Sequence, residues 1–226
     1  MESNQPWATE QTQTQAHPAA VNRLIKNTYM LLSATLMFSA FTAWLAMVLN
    51  MPSMGLIITM VGYFGLLFAV TKTQNSVWGL FFVFALTGFM GLTLGPIISM
   101  YLTTFSNGSE LVTTAFAGTA VIFLGLSGYA LTSRKDFSFM GGFLMAGILV
   151  AFLAGIGAAV FSIPALSLGV SAMFILLMSG LILYQTSAMV HGAETNYISA
   201  TVTLYVSIFN LFISLLQILG VMGGED

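Results

Sequence analysis

A hydroxyl, an imidazole and a carboxylate held together can hydrolyse an amide, and three or four imidazoles and carboxylates can hold zinc. This chain supplies little toward either. Its only histidines are His17 and His191, with Glu194 three residues after the second, and it has no cysteine. A zinc site takes three or four converging ligands and no HExxH occurs, so His191 reads as a helix-ending residue near the negative pole of a helix dipole. The lack of cysteine excludes disulfides, thiolate metal sites and cysteine nucleophiles together. No P-loop and no GxGxxG is present, and no basic stripe suggests nucleic acid.

One string is enzyme-like. Gly125-Leu126-Ser127-Gly128 matches the GxSG of serine intramembrane proteases, in which a histidine on a second helix serves as base. No apolar segment here has an interior histidine, and none has the two carboxylates of aspartyl intramembrane proteolysis. The chain therefore reads as a non-enzyme without a cofactor. What remains for function is amides and hydroxyls near its end: Gln185, Ser207, Asn210 and Gln217. An unbonded amide in hydrocarbon costs roughly several kcal/mol, so these side chains are expected to face inward. Asn210 and Gln217 are seven apart, two helical turns on one face, and Ser207 and Ser214 lie close to the same stripe. Such a line is either hydrogen-bond glue between helices or the wall of a hydrated cavity or ion path.

The elements that position these groups follow from composition. Hydrophobic residues make up 58% of the chain, charged residues 5%, and the mean hydropathy is +0.95. A chain with so little polar surface takes the bilayer as solvent. Crossing about 30 Å of hydrocarbon takes about 20 apolar residues in a helix. Seven stretches meet or approach that length: about 28–49, 54–70, 77–102, 111–132, 139–161, 166–190 and 197–222. They are separated by NMPS, TKTQNS, TTFSNGSE, SRKDFS, SIPA and HGAETN, all built from turn residues. The fold class is thus an all-α polytopic bundle of seven transmembrane helices over residues 23–226, its polar last helix central.

Residues 1–22 are Gln/Thr-rich and aperiodic, and read as a disordered tail rather than a signal peptide. All five basic residues (Arg23, Lys26, Lys72, Arg134 and Lys135) fall on the face that also holds this tail; the opposite face has none. The positive-inside rule then makes the N-terminus cytoplasmic and the C-terminus periplasmic. Arg134-Lys135-Asp136, with Glu194 at the same edge, pins the fourth and fifth helices to the cytoplasmic surface. With Phe137 and Phe139 beside it, the same turn is a candidate partner contact.

Two small-residue patterns suggest how helices meet. Gly147, Ala151, Gly155 and Ala159 recur at every fourth position of the fifth helix and predict one close-packing face. Gly95-Pro96, after Gly88 and Gly91, predicts a kink in the third.

SGYALTSRKDFSFMGGFLMAGI, TGFMGLTLGPI and LILYQTSAMVHGAETNYISATVTLYVSIFNLFISLLQILG together resemble the Bax inhibitor-1 (TMBIM) family, and its bacterial branch in particular. The resemblance runs from about Arg23 to Met222. It implies a seven-helix bundle with the last helix inside, in a bacterial inner membrane. It also implies a non-enzymatic regulator that partners the FtsH protease complex in membrane-protein quality control. The alternative it carries is a calcium or proton leak. Relatives proposed to leak calcium have two facing aspartates, and the matching positions here are Gln185 and Ser207. Neither titrates near neutral pH, and Glu194 and Asp136 are the nearest carboxylates that could substitute.

Overall fold

The computed structural model describes residues 18–223. Residues 1–17, most of the expected tail, lie outside the described residues. Within them, seven helices are long and apolar enough to cross a membrane. These are α1 (Pro18–Val48), α2 (Gly55–Thr73), α3 (Val77–Thr104), α4 (Gly108–Ser133), α5 (Gly141–Val160), α6 (Pro164–Val190) and α7 (Tyr197–Gly223), with one 3-10 turn (Ser138–Met140) leading into α5.

The helices end where side chains or backbone geometry stop them. Ser76 accepts from the Trp78 N–H at 3.4 Å and starts α3. Gly192, at φ +74°, reverses the chain after α6, a left-handed conformation open to glycine at little cost. The expected boundaries shift by a few residues except at the start, where residues 18–22 belong to α1 and not to a tail. At 31 residues α1 is about 46 Å long, more than the hydrocarbon is thick, so its first turns, with Arg23 and Lys26, stand clear of it.

α7 is the centre of the bundle. No residue from Ile198 to Gly220 is exposed. It touches α1, α3, α4 and α6, while α2 lies outside against α3 and α5 lies outside against α6. The contrast is sharpest with α2, whose only buried residue is Val70.

Glycines set the closest approaches. Those of α3 face α1: a Cβ on Gly95 would stand 2.6 Å from the Ala43 carbonyl oxygen, and one on Gly91 would strike the Ser39 backbone. α3 runs unbroken through Pro96. On α5, Gly147 packs against Leu177 of α6 and Ala151 is fully buried, whereas Ala159 is exposed and Ala158 is buried in its place. The reason is helical pitch. Twelve residues turn the face by about 120° from Gly147, whereas eleven bring it back to within about 20°.

Candidate functional site

The polar groups of the bundle form several sets of links. In the centre, the Tyr205 hydroxyl lies 2.6 Å from Ser39 Oγ and donates to the Thr87 carbonyl at 3.2 Å, joining α7 to α1 and α3. Nearer the basic face, Ser127 bonds Tyr29 of α1 and lies 3.4 Å from Thr186 Oγ1 of α6. The enzyme-like serine of the GxSG string thus has hydroxyls as its partners and serves as a cross-link.

A third set is a clasp at the basic face, between the α4–α5 turn and the end of α6. Arg134 closes α4 at φ +51°, a left-handed conformation that is unfavourable for a residue with a Cβ. Its carbonyl there lies 3.1 Å from His191 Nε2. Ser187 Oγ donates to the Lys135 carbonyl and accepts from the Phe137 N–H, both at 3.0 Å. His191 Nδ1 is 2.9 Å from the Ser187 carbonyl, so the ring caps α6 as a helix-ending histidine should. Asp136 caps the turn itself, accepting from the Ser138 N–H at 2.8 Å. That bond, the Ser138 hydroxyl and the nearby His191 hold its carboxyl below the usual carboxylate range.

Glu194 is the hub of the adjoining α6–α7 turn. Its Oε1 accepts from the Thr195 and Asn196 N–H groups at 2.8 Å, and its Oε2 from Ser199 Oγ at 2.9 Å and from Gln185 Nε2 at 3.5 Å. Asn196 Oδ1 then caps α7 through the Ile198 and Ser199 N–H groups, while its Nδ2 reaches the Gln74 carbonyl and Asn75 in the α2–α3 turn. Four helices are thereby tied at one surface.

The amide stripe of α7 divides between partners. Gln217 bonds Ser167 and Ser171 of α6. Asn210, on the same face, donates to its own Val206 carbonyl and borders a cavity described below. Ser207 is fully buried and donates to the Thr203 carbonyl. Gln185 and Ser207 therefore do not bond each other, and of the two only Gln185 reaches a carboxylate, that of Glu194. Ser187, Asn196 and Tyr205 were not singled out from the sequence. Serine in an apolar run looks like packing, and a tyrosine in the middle of a helix looks like an aromatic core residue.

The clasp yields two expected results. Ser187→Ala leaves the Phe137 N–H without its acceptor, a loss of about 1–3 kcal/mol. Faster trypsin cleavage after Arg134 and Lys135 in membranes opened on the basic side checks it. Asp136, being depressed, supports the turn above the ordinary carboxylate range and releases it only as pH falls through the lowered value. The Ser138 amide resonance should then titrate with a midpoint below the ordinary carboxylate range, and the titration should vanish in Asp136→Asn.

The chain is similar to known proteins along nearly its full length. Residues 21–224 match the family described as inhibitor of apoptosis-promoting Bax1. An uncharacterised protein of Pseudomonas aeruginosa is 51% identical over 211 residues, 93% of this chain and 95% of that one. The modulator of FtsH protease YccA of Escherichia coli is 50% identical over 201 residues, 89% and 91% of the two chains. An uncharacterised protein of Neisseria meningitidis is 31% identical over 219 residues, covering 93% and 96%. Matched from the first turns of α1 to the end of α7, and across relatives of its own length, this chain belongs to the Bax inhibitor-1 family.

Proposed function

We propose that the protein is a non-enzymatic, multi-pass protein of a bacterial inner membrane that associates with the FtsH protease complex and restrains its action on membrane proteins. The observation that carries this reading is the 50% identity to the Escherichia coli modulator of FtsH protease. All five Lys and Arg lie on one face, which the positive-inside rule makes cytoplasmic, with the N-terminus on that side and the C-terminus in the periplasm. The clasp at that face offers a contact surface: Phe139 is 78% exposed beside Arg134, Lys135 and Asp136. An ATP-driven protease also needs a handle, and the polar segment 1–17 precedes α1 in the sequence. Seven packed helices behind a handle make a slowly extracted competitor for other substrates.

Deleting residues 2–17, which leaves Pro18–Val48 in place, is expected to lengthen the protein's lifetime in cells that contain FtsH. Pulse-chase turnover measures it, and an unchanged lifetime removes the handle from the account. Co-purification in mild detergent tests the association itself. The cation-leak alternative has less to draw on, since a hard cation takes several carboxylate or carbonyl oxygens. The carboxylate nearest Gln185, that of Glu194, already accepts four hydrogen bonds.

A further inference from the structure

A cavity of about 390 Å³ lies among α2, α3, α5, α6 and α7. That is within the range of small-molecule sites, roughly 300–1,000 Å³. Its walls include Thr59, Tyr63, Phe152, Met178 and Asn210. Most of these stand well inside their helices; Asn210, for example, is about 20 Å along α7. The cavity is therefore at mid-membrane depth, away from either aqueous face. Its opening is lateral. Phe64 of α2 and Leu149 of α5 both line it and are nevertheless 45% and 56% exposed. Across this mouth α2 and α5 meet through an edge contact of Phe64 with Phe152, ring centroids 5.6 Å apart.

The polar atoms on these walls are under-bonded. Asn210 spends one N–H on the Val206 carbonyl at 2.8 Å. Its Oδ1 and the hydroxyls of Thr59 and Tyr63 have no hydrogen-bond partner among the described residues. In hydrocarbon, unbonded polar atoms are costly, so an alkyl chain alone is a poor occupant. Water alone would wet walls that are mainly aromatic rings, methionine and aliphatic side chains. A partner helix does not fit either, because a single turn with its side chains fills roughly 400 Å³.

We infer that this cavity binds a lipid-soluble amphiphile: one apolar chain bearing a hydroxyl, carbonyl or amide. The apolar body lies against Phe64, Phe89, Phe152 and Met178, and the polar group meets Asn210, with Tyr63 and Thr59 completing its bonds. Entry is from the lipid, between α2 and α5. Acyl-chain lipids and isoprenoids both offer this chemistry. The inference stands apart from protease association, which is read by other means.

The test uses the full-length protein in phosphatidylcholine nanodiscs and a tetradecanol carrying a photoactivatable diazirine. Labelling should be saturable and should map to peptides around Phe64 and Phe152. Unlabelled tetradecanol should compete about tenfold better than tetradecane, the worth of one net hydrogen bond. That preference should fall to about one in Asn210→Leu, and in Thr59→Val it should drop part of the way. Leu149→Trp, at the mouth, should abolish saturable labelling while leaving the thermal unfolding temperature unchanged. Farnesol competing better than tetradecanol assigns an isoprenoid, and the reverse assigns an acyl lipid. Non-saturable labelling spread over all lipid-exposed helices, or equal competition by alcohol and alkane, overturns the inference.

Discussion

Gly91→Val is expected to be the most damaging single substitution in the described bundle. A side chain at that position runs into Thr42 Oγ1 and the Ser39 backbone of α1, and backbone has no rotamer with which to move aside. α1 must then withdraw from α3, against the neighbouring contact at Gly95, where a Cβ would lie 2.6 Å from both the Ala43 oxygen and the Ala46 Cβ. Withdrawal also pulls apart the two groups that hold the Tyr205 hydroxyl, since Ser39 is on α1 and Thr87 on α3. Overpacking alone costs about 1–3 kcal/mol, and leaving a buried hydroxyl unbonded adds about 1–3 more. Gly91→Ala carries the same clash at Cβ and should lose more than half as much. Gly128 is the control: nothing lies within 4 Å of a Cβ there, and Gly128→Ala should lose no stability and gain up to about 1 kcal/mol from helix propensity. Thermal unfolding in detergent, followed by exposure of the buried Tyr205 region to proteolysis, checks the order. Equal stability of Gly91→Val and Gly128→Ala contradicts it.

Glu194→Ala should produce the second largest loss, and it should be felt at the basic face rather than in mid-membrane. Four donors converge on this carboxylate: two backbone N–H groups, the Ser199 hydroxyl and the Gln185 amide. Bonds to a charged acceptor contribute about 1.5–3 kcal/mol each, but they share one side chain and partly exchange for water, so the expected total is about 2–4 kcal/mol. Gln185 is 5% exposed and cannot turn to solvent for compensation. Glu194→Gln keeps an oxygen for the two backbone donors and should lose about half as much. Because Asn196 carries the turn onward to Gln74 and Asn75, loosening should reach the α2–α3 turn. Hydrogen exchange at residues 74–76 and 194–199 rising together in Glu194→Ala is the signature. Exchange confined to 194–199 shows that the two turns are independent.

These two sites were unequally visible in the sequence. Gly91 belonged to a run of glycines ending at Pro96, noticeable because glycine is poor in a water-soluble helix and useful where membrane helices touch. Glu194 was noticed only as a carboxylate at an edge. Its spacing to Gln185 says nothing of contact, since a helix end and a chain reversal at Gly192 intervene. In the fifth helix a four-residue repeat drifts around the axis, and by Ala159 it has left the face that Ala158 occupies. At the N-terminus, residues 18–22 fall within the expected polar tail. They belong instead to α1, and Leu24 and Ile25 just beyond them already pack against the core.

What the sequence determined by itself is the medium, the seven spans, the gathering of every cation on one face and the inward polarity of the last helix. Each follows from a penalty that hydrocarbon levies residue by residue, so a local window suffices to read it. What only the tertiary structure decided is who meets whom: Ser187 with a turn fifty residues earlier, Tyr205 between Ser39 and Thr87, Gln217 with α6, and Asn210 with a cavity. Those pairings depend on the rotation and depth of every helix against its neighbours. Both are set by side-chain packing across distant parts of the chain, which no single window contains.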